Sequence, residues 1–205
     1  MKKFILLTVL LVSTATLNAQ YKIHDTFDDN KFAWTEIVTK DTKALIEEGV
    51  MRLQGKNDLE SKKTSVAMTS CYAPLDPTKN FTIKCKSNVR KLNSDGYFGI
   101  IIDYMDDYNY SAFYLEKGDK NNAIVSYERV VDGELVGSRK SDLKLQAKKD
   151  INIEFEIRSL LDKLQFYCNG MQTIEIRYNP IKYIGMGFIV FGDIQVDFDD
   201  LEIIQ

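Results

Sequence analysis

Hydrophobicity alternates with a period of two residues along most of this chain, and this alternation constrains the fold more than any other feature of the sequence. Successive side chains of a β-strand point to opposite faces of a sheet, so the pattern predicts strands with one buried face. No window of a dozen residues has apolar positions at helical spacing that outscore the alternation. We therefore expect an all-β chain.

The alternating runs are short, rich in Ile, Val, Tyr, Phe and Thr, and separated by Gly, Asn and Asp. The predicted strands cover residues 34–39, 43–47, 49–54, 64–72, 80–90, 97–105, 109–117, 122–131, 134–140, 151–158, 162–168, 171–177, 184–191 and 194–204. Turns that recur at intervals of about 8 to 12 residues are typical of a sandwich or barrel. The number of strands exceeds that of an immunoglobulin module and favours a larger two-sheet antiparallel jelly-roll sandwich.

Three dipeptides between these runs predict tight hairpin turns. They are Glu48-Gly49, Asp132-Gly133 and Asn169-Gly170. Such turns require a positive φ, which Gly adopts without steric cost and which Asn and Asp tolerate. The turns therefore fix several strand boundaries independently of the alternation.

Residues 1–19 have the layout of a secretory signal peptide. Two lysines precede an apolar run over residues 4–12, and a small, polar stretch follows it. The run is about 9 residues long, well short of the roughly 20 that a membrane-spanning helix needs. We therefore expect cleavage of residues 1–19, a single domain over 20–205 without a membrane span, and a secreted or periplasmic mature protein.

Charge and cysteine content exclude two classes of site. The 27 basic and 30 acidic residues give a formal charge of −3, and a mildly acidic chain is a poor candidate for nucleic acid. The cysteines Cys71, Cys85 and Cys168 form no C-x-x-C pair and His24 is the single histidine, so a zinc site is not expected. Cys85 and Cys168 are in phase with apolar neighbours, which predicts free thiols in the core.

The stretch YFGIIIDYMDDYNYSAFYLEKG, residues 97–118, predicts a hairpin with two different faces. A turn at residues 106–109 would place Ile102 opposite Phe113 and Ile100 opposite Leu115. The predicted core face carries Phe98, Ile100, Ile102, Phe113 and Leu115. The other face is predicted to carry Gly99, Ile101, Asp103, Tyr110, Ala112, Tyr114 and Glu116.

This second face has the residue types that bind sugars. Aromatic rings stack on the C–H faces of a sugar, and carboxylates accept hydrogen bonds from its hydroxyl groups. The candidate ligand contacts are Trp34, Asp103, Tyr108, Tyr110, Tyr114, Glu116 and Tyr127. Two alternatives stay open: the face packs beneath a neighbouring loop, and Trp34 fills the core as the single Trp of the chain.

Four segments combine aromatic residues, Gly and Asp in a recognisable order. They are HDTFDDNKFAW, YFGIIIDYMDDYNYSAFYL, KKDINIEFEIRSLLDKLQFYCNGMQ and YIGMGFIVFGDIQVDFDDLEII. Over most of residues 24–204 the chain resembles concanavalin A-like lectin/glucanase domains, in their laminin G-like or family 16-like branch. The resemblance implies a jelly roll of two curved antiparallel sheets, whose concave face often holds carbohydrate.

Hydrolases of that superfamily carry E-x-D-x-x-E on one strand, where a nucleophile and a general acid share a face. The nearest run here, EFEIRS, has Glu154 and Glu156 without an Asp between them, and we expect both to be solvent-side strand residues. A glycosidase or lyase with an unusual site would need Asp103 paired with Glu116. The sequence therefore favours a protein without catalytic residues.

Several relatives hold a structural calcium with oxygen atoms from the first and last strands. By this resemblance, Asp25, Asp197 and Asp199 would supply the ligands if the two ends of the domain are neighbours. The same carboxylates also suit turns and edge strands. No other cofactor is expected.

Two functions remain. The first is an exported, non-catalytic carbohydrate-binding domain that recognises a glycan with its aromatic face. The second is an envelope protein-interaction module, such as a periplasmic inhibitor, immunity or assembly factor, whose acidic, Tyr-rich loops meet a basic envelope or extracellular protein. Composition alone does not separate them.

Overall fold

The computed structural model describes residues 22–57, 64–73, 75–76, 78–93, 96–118, 122–144, 151–179 and 185–205. All regular secondary structure in these residues is β-strand, which confirms the all-β prediction. None of them forms a helix that is long and apolar enough to cross a membrane. The predicted signal segment 1–19 lies outside the described residues.

The strands follow the predicted boundaries closely. They are β1 (Lys22–Asp25), β2 (Ile37–Val38), β3 (Thr42–Glu47), β4 (Val50–Gly55), β5 (Val66–Tyr72), β6 (Phe81–Leu92), β7 (Tyr97–Asp106), β8 (Asn109–Lys117), β9 (Asn122–Val131), β10 (Glu134–Lys144), β11 (Ile151–Leu160), β12 (Lys163–Cys168), β13 (Met171–Arg177), β14 (Gly185–Phe191) and β15 (Ile194–Ile204). The sequence did not predict β1, which at four residues is too short to show alternation. The strand predicted at 34–39 is reduced to β2.

The strands form two antiparallel sheets, as predicted. The large sheet has nine strands in the order β13-β12-β11-β6-β15-β4-β3-β2, with β1 paired to β15. The small sheet has six strands in the order β10-β9-β8-β7-β14-β5. The two sheets stack as a jelly-roll sandwich, with one face of each in the core and the other directed outward.

Aromatic pairs join the inner faces of the two sheets. Phe188 of β14 stacks on Phe198 of β15 with ring centroids 4.3 Å apart. Phe113 of β8 stacks on Phe166 of β12 at 4.7 Å. All four side chains are fully buried, and burial of a Phe side chain stabilises the folded state by roughly 1.5 to 3 kcal/mol. These pairs hold the sheets in a fixed alignment.

The three predicted tight turns are present. At both residues of each dipeptide φ lies between 50° and 79°, the positive values that a two-residue type I′ hairpin turn requires. The turns join β3 to β4, β9 to β10 and β12 to β13. The cysteines also follow the prediction, since all three are free and Cys85 and Cys168 are buried.

The β7–β8 hairpin forms with a register that differs from the prediction. Ile100 lies opposite Phe113 rather than Leu115, a shift of two residues. The cause is a bulge between Ile102 and Asp106, where β7 advances by four residues while β8 advances by two. Because side chains alternate with a period of two, this shift leaves the faces of residues 97–102 and 111–116 unchanged. The five residues of the predicted core face all lie in the main hydrophobic core.

Candidate functional site

The outer face of the small sheet carries three of the predicted ligand contacts, Tyr110, Tyr114 and Glu116. All three project from β8, near the middle of the sheet. Tyr114 is buried, whereas Tyr110 and Glu116 are half-buried. Three of the predicted aromatic and acidic side chains therefore share this face.

Hydrogen bonds between β8, β9 and β10 hold the two acidic side chains of this face. The Tyr114 hydroxyl donates a hydrogen bond to Glu128 Oε1 over 2.6 Å. Glu116 Oε1 accepts hydrogen bonds from Ser126 Oγ at 3.2 Å and Lys140 Nζ at 2.9 Å. Burial, followed by the Glu128 carboxylate, raises the pKa of Tyr114, so this hydroxyl stays protonated and continues to donate.

Strands β7 and β14 add further aromatic rings. The Tyr97 ring lies 4.4 Å from that of Tyr114 and stacks on Phe191 at 4.7 Å with an interplanar angle of 3°. At the other end of β7, the Tyr104 hydroxyl donates to Asp107 Oδ1 over 2.8 Å. The strand register thus places aromatic rings at both ends of the outer face.

Small and aliphatic side chains lie between these rings. Ile101, Ala112 and Ile189 are at most 5% exposed and form a separate hydrophobic cluster with the flanking tyrosines. A Cβ on Gly99 or Gly187 would meet the backbone of the adjacent strand, so only glycine permits this close approach. The result is an outward patch that crosses the strands, with small and aliphatic side chains at its centre and tyrosines around them. We call this patch the tyrosine groove; it comprises Tyr97, Tyr104, Tyr110, Tyr114, Glu116 and Glu128.

A pocket of about 480 Å³ lies next to the tyrosine groove, towards β5, and shares Tyr104 with it. Ser70, Tyr72, Tyr104 and Gly185 line this pocket, and Tyr72 is 75% exposed at its rim. The chain before β2 closes one side, where the Thr35 amide donates to Ser70 O over 3.0 Å. The pocket adds the ring of Tyr72 to this face.

Two predicted contacts, Asp103 and Tyr127, lie on the inner face of the sheet instead. Asp103 has a φ of 53° within the β7 bulge and is 1% exposed, and the Tyr178 hydroxyl donates to its Oδ1 over 2.7 Å. The Tyr127 ring packs against Phe113 in the core at 4.9 Å. The prediction that Asp103 shares a face with Tyr114 is wrong, because strict alternation assumes an unbroken ladder. Asp103 also cannot pair with Glu116 as an acid and a base.

The remaining aromatic candidates lie apart from the groove. Trp34 is 2% exposed, stacks on Phe188 at 5.2 Å and donates from Nε1 to Asp25 Oδ2 over 2.8 Å. Trp34 is therefore a core residue, as the alternative interpretation predicted, and its ring is too deeply buried to contact a ligand. Tyr108 lies at the β7–β8 turn and is 67% exposed.

The three aspartates proposed as calcium ligands are engaged separately. The pairing of β1 with β15 brings the ends of the domain together as expected, but Asp25 accepts hydrogen bonds from Trp34 Nε1 and the Phe27 amide. Asp197 is held by Arg52 and Arg90, and Asp199 accepts from the Asp200 amide at 2.7 Å. Within the described ranges, no group of three or more His, Cys, Asp or Glu residues is arranged to hold a metal ion.

Sequence reasoning missed Tyr97, Tyr104 and Glu128. Two of them had a usable signal: Tyr97 is in phase with Gly99 on the outer face, and Glu128 is in phase with Ser126. Because Tyr127 is the neighbour of Glu128 on β9 and so points to the other face, the same alternation places Tyr127 in the core. Tyr104 lies within the bulge, where the alternation no longer predicts which face a side chain takes.

Comparisons with known proteins give matches at the level of structure. The sequence matches no protein-family model and no curated protein. The carbohydrate recognition domain of Emp47p has 12% identity and a TM-score of 0.64, over 89% of this chain and 94% of that domain. The CBM2 module of the evolved Dit of Lactobacillus casei BL23 phage J-1 has 13% identity and a TM-score of 0.60, over 90% of this chain and 96% of that module.

A third neighbour is a longer protein, GH43B of the Bacteroides ovatus xyloglucan PUL. It has 13% identity and a TM-score of 0.61, and the match covers 88% of this chain but 38% of that one. At these identities the likeness shows the fold alone. The neighbours are lectin-like, carbohydrate-binding and glycosidase-associated jelly rolls, which is consistent with a concanavalin A-like fold.

Proposed function

We propose that this chain is an exported, non-catalytic carbohydrate-binding domain whose ligand lies in the tyrosine groove. The observation that carries the proposal is the convergence of four tyrosines and two glutamates on one outward face, above an aliphatic floor. Its fold neighbours include a carbohydrate recognition domain and a carbohydrate-binding module.

The chemistry of the groove fits a neutral sugar chain. Tyr97, Tyr104 and Tyr110 are partly exposed, so part of each ring is available for contact with the C–H face of a sugar. The carboxylates of Glu116 and Glu128 are fixed by hydrogen bonds and accept from sugar hydroxyl groups. Both carry negative charge, as does Asp107 near Tyr104. An acidic polysaccharide would therefore be repelled.

Substitution within the groove tests this proposal. Tyr110→Ala removes a ring and Glu128→Gln removes a charge-assisted acceptor, and each should weaken retention on a neutral polysaccharide by about tenfold, equivalent to about 1.4 kcal/mol. Tyr167→Ala is a matched control, because Tyr167 lies on the large sheet beneath Arg158. Affinity electrophoresis against a panel of neutral polysaccharides measures the effect. Equal retention of all three variants would remove the groove from consideration.

Export is part of the proposal and depends on the amino-acid pattern of residues 1–19. N-terminal sequencing of the protein recovered from the expressing cells tests it directly. A mature chain that begins near Gln20 supports export. An intact chain that starts at Met1 and is recovered from the cytoplasm contradicts it.

A protein-interaction module is the second candidate, and one surface favours it. Tyr108, Leu135 and Val136 are 67%, 56% and 58% exposed. They lie close together because the Gly133 amide donates to Tyr108 O over 2.9 Å, which joins the tips of two hairpins. A stoichiometric partner that co-purifies with the protein and is lost with Tyr108→Ala would establish this role. Unchanged co-purification of the partner with the Tyr108→Ala variant would exclude the two hairpin tips as its binding surface.

A further inference from the structure

A second concave feature lies on the opposite side of the sandwich, on the outer face of the large sheet. It is a cleft of about 490 Å³ that crosses β11, β6 and β15. The strand registers place six polar side chains in two rows on its floor: Asn152, Asn88 and Asp197 in one, and Glu154, Lys86 and Asp199 in the other. Val50 and Asn169 also line it. We call it the amide cleft.

Asn88, at the centre of the first row, has an unpaired polar atom. Its Oδ1 is buried and accepts no hydrogen bond from the described residues. A buried acceptor without a partner costs about 1 to 3 kcal/mol. The amide of Asn88 lines the cleft, and its terminal torsion is broad, so a donor that enters the cleft can satisfy it.

The cationic groups of the cleft are already paired. Arg90 and Arg52 both bind Asp197, with Nε to carboxylate distances of 3.0 and 2.6 Å. Lys86 Nζ lies 2.6 Å from Asp200 Oδ2. The charge of each of these cations is already balanced by a carboxylate, which weakens its attraction for an anionic ligand. The charges therefore disfavour phosphate, sulfate or uronate.

The groups that remain are amides and carboxylates. Asn88 and Asn152 can each donate and accept hydrogen bonds, while Glu154 and Asp199 accept them. Asn169 is fixed beside them, because its Oδ1 accepts from the Glu154 amide at 2.8 Å. No aromatic ring is among the described lining residues. This donor and acceptor set matches hydroxyl groups, which also donate and accept.

We propose that the amide cleft is a second binding site, for one small neutral polyhydroxylated molecule such as a monosaccharide. It binds by hydrogen bonds to amides and carboxylates, without ring stacking. The cleft and the tyrosine groove lie on opposite sheets, so this proposal is independent of the first. If both sites bind sugar, one domain joins two ligands, and avidity on a polysaccharide exceeds the affinity of either site.

Nuclear magnetic resonance of the side-chain amide groups tests the proposal. The ¹⁵N-labelled protein is titrated separately with glucose, galactose, mannose and xylose, and with glucuronate and inorganic phosphate as charged probes. At least one neutral sugar should shift the amide signals of Asn88, Asn152 and Asn169. Asn152→Ala and Asn88→Ala should each weaken that sugar at least about tenfold, the loss of one or two hydrogen bonds. Asn122→Ala, at the start of β9, is the matched control.

The outcomes separate the two sites. If a neutral sugar still shifts the amide signals of the cleft in the Tyr110→Ala variant, the result supports the amide cleft, whether or not that variant loses polysaccharide retention. Cleft shifts without any polysaccharide retention by the wild type support it and contradict the tyrosine groove. The proposal is overturned if no neutral sugar shifts the cleft amides, if a charged probe shifts them more strongly, or if Asn152→Ala and Asn88→Ala, shown by thermal melting to be folded, bind as the wild type does.

Discussion

At the scale of single residues, Asp103 combines a strained backbone with a buried carboxyl group. Desolvation raises its pKa from 3.8 to about 6, although the Tyr178 hydroxyl and the charge of Arg129 act in the opposite direction. The folded protein therefore holds this proton over a pH range in which the unfolded chain has released it. Stability from this group is complete below about pH 4 and is lost as the pH rises through about 6.

Asp103→Asn should remove this pH dependence. Between about pH 4 and about pH 7, the wild type should lose up to about 3 kcal/mol of unfolding free energy relative to the variant, since each pKa unit corresponds to about 1.4 kcal/mol. The Asn side chain still accepts from Tyr178, so the variant should fold. Urea unfolding of both proteins across this range measures the difference. Parallel profiles would show that Asp103 does not titrate there.

Residues of the candidate site were predictable where the alternation is unbroken. Tyr110, Tyr114 and Glu116 lie on the face that parity indicates. Asp103 does not, because a positive φ inside a bulge reverses the direction of its side chain. Trp34 was ambiguous, since its burial depends on a stack with Phe188 that is remote in sequence.

At the scale of elements, glycine controls how closely the strands of the small sheet approach. A Cβ on Gly99 would meet the backbone of Phe113 and Tyr114 on β8, so Gly99→Ala should force β7 and β8 apart and destabilise the protein by about 1 to 3 kcal/mol. Gly137→Ala is a control in the same sheet, because its Cβ would meet only Arg129 Cβ at 3.9 Å. Urea unfolding distinguishes them. Equal stability of the two variants would contradict this account.

Strand positions followed from local pattern, but strand order did not. The turn dipeptides and the alternation located most boundaries within a few residues. The partners of β6, which are β11 and β15, are separated from it by long stretches of chain, and no local feature specifies such pairing. The amide cleft therefore had no sequence signature, because its two rows exist only once β11, β6 and β15 are adjacent.

At the scale of the whole molecule, ion pairs connect strands of the large sheet that are remote in sequence. The large sheet carries a network in which Arg52 and Arg90 hold Asp197, whose side chain is 3% exposed. Burial acts against it, but hydrogen bonds from these two arginines keep the pKa of Asp197 below its usual value. The ion pairs stabilise the fold at pH values above the pKa that Asp197 has in the unfolded chain. This stabilisation is lost as the pH falls through the lower pKa that Asp197 has in the folded protein.

Asp197→Asn should therefore destabilise the protein at neutral pH, by about 1 to 3 kcal/mol, and the difference from the wild type should shrink in strong acid. Asp193→Asn is the control, since the side chains of the Lys91–Asp193 pair are 52% and 23% exposed, and this pair should contribute less than about 1 kcal/mol. Thermal unfolding of each variant and the wild type, at neutral pH and in strong acid, measures the effect. A difference that stays constant in acid would exclude the ion pairs as its cause.

The bulge in β7 has a consequence for length variation in this hairpin. It holds two surplus residues, an even number, and for that reason the inward and outward sets of side chains keep their places on either side of it. An insertion or deletion of one residue there would break this match between the two arms of the hairpin, so that Phe98 of β7 and Phe113 of β8 would no longer both face the core. Indels at this position should be tolerated in pairs and rejected singly.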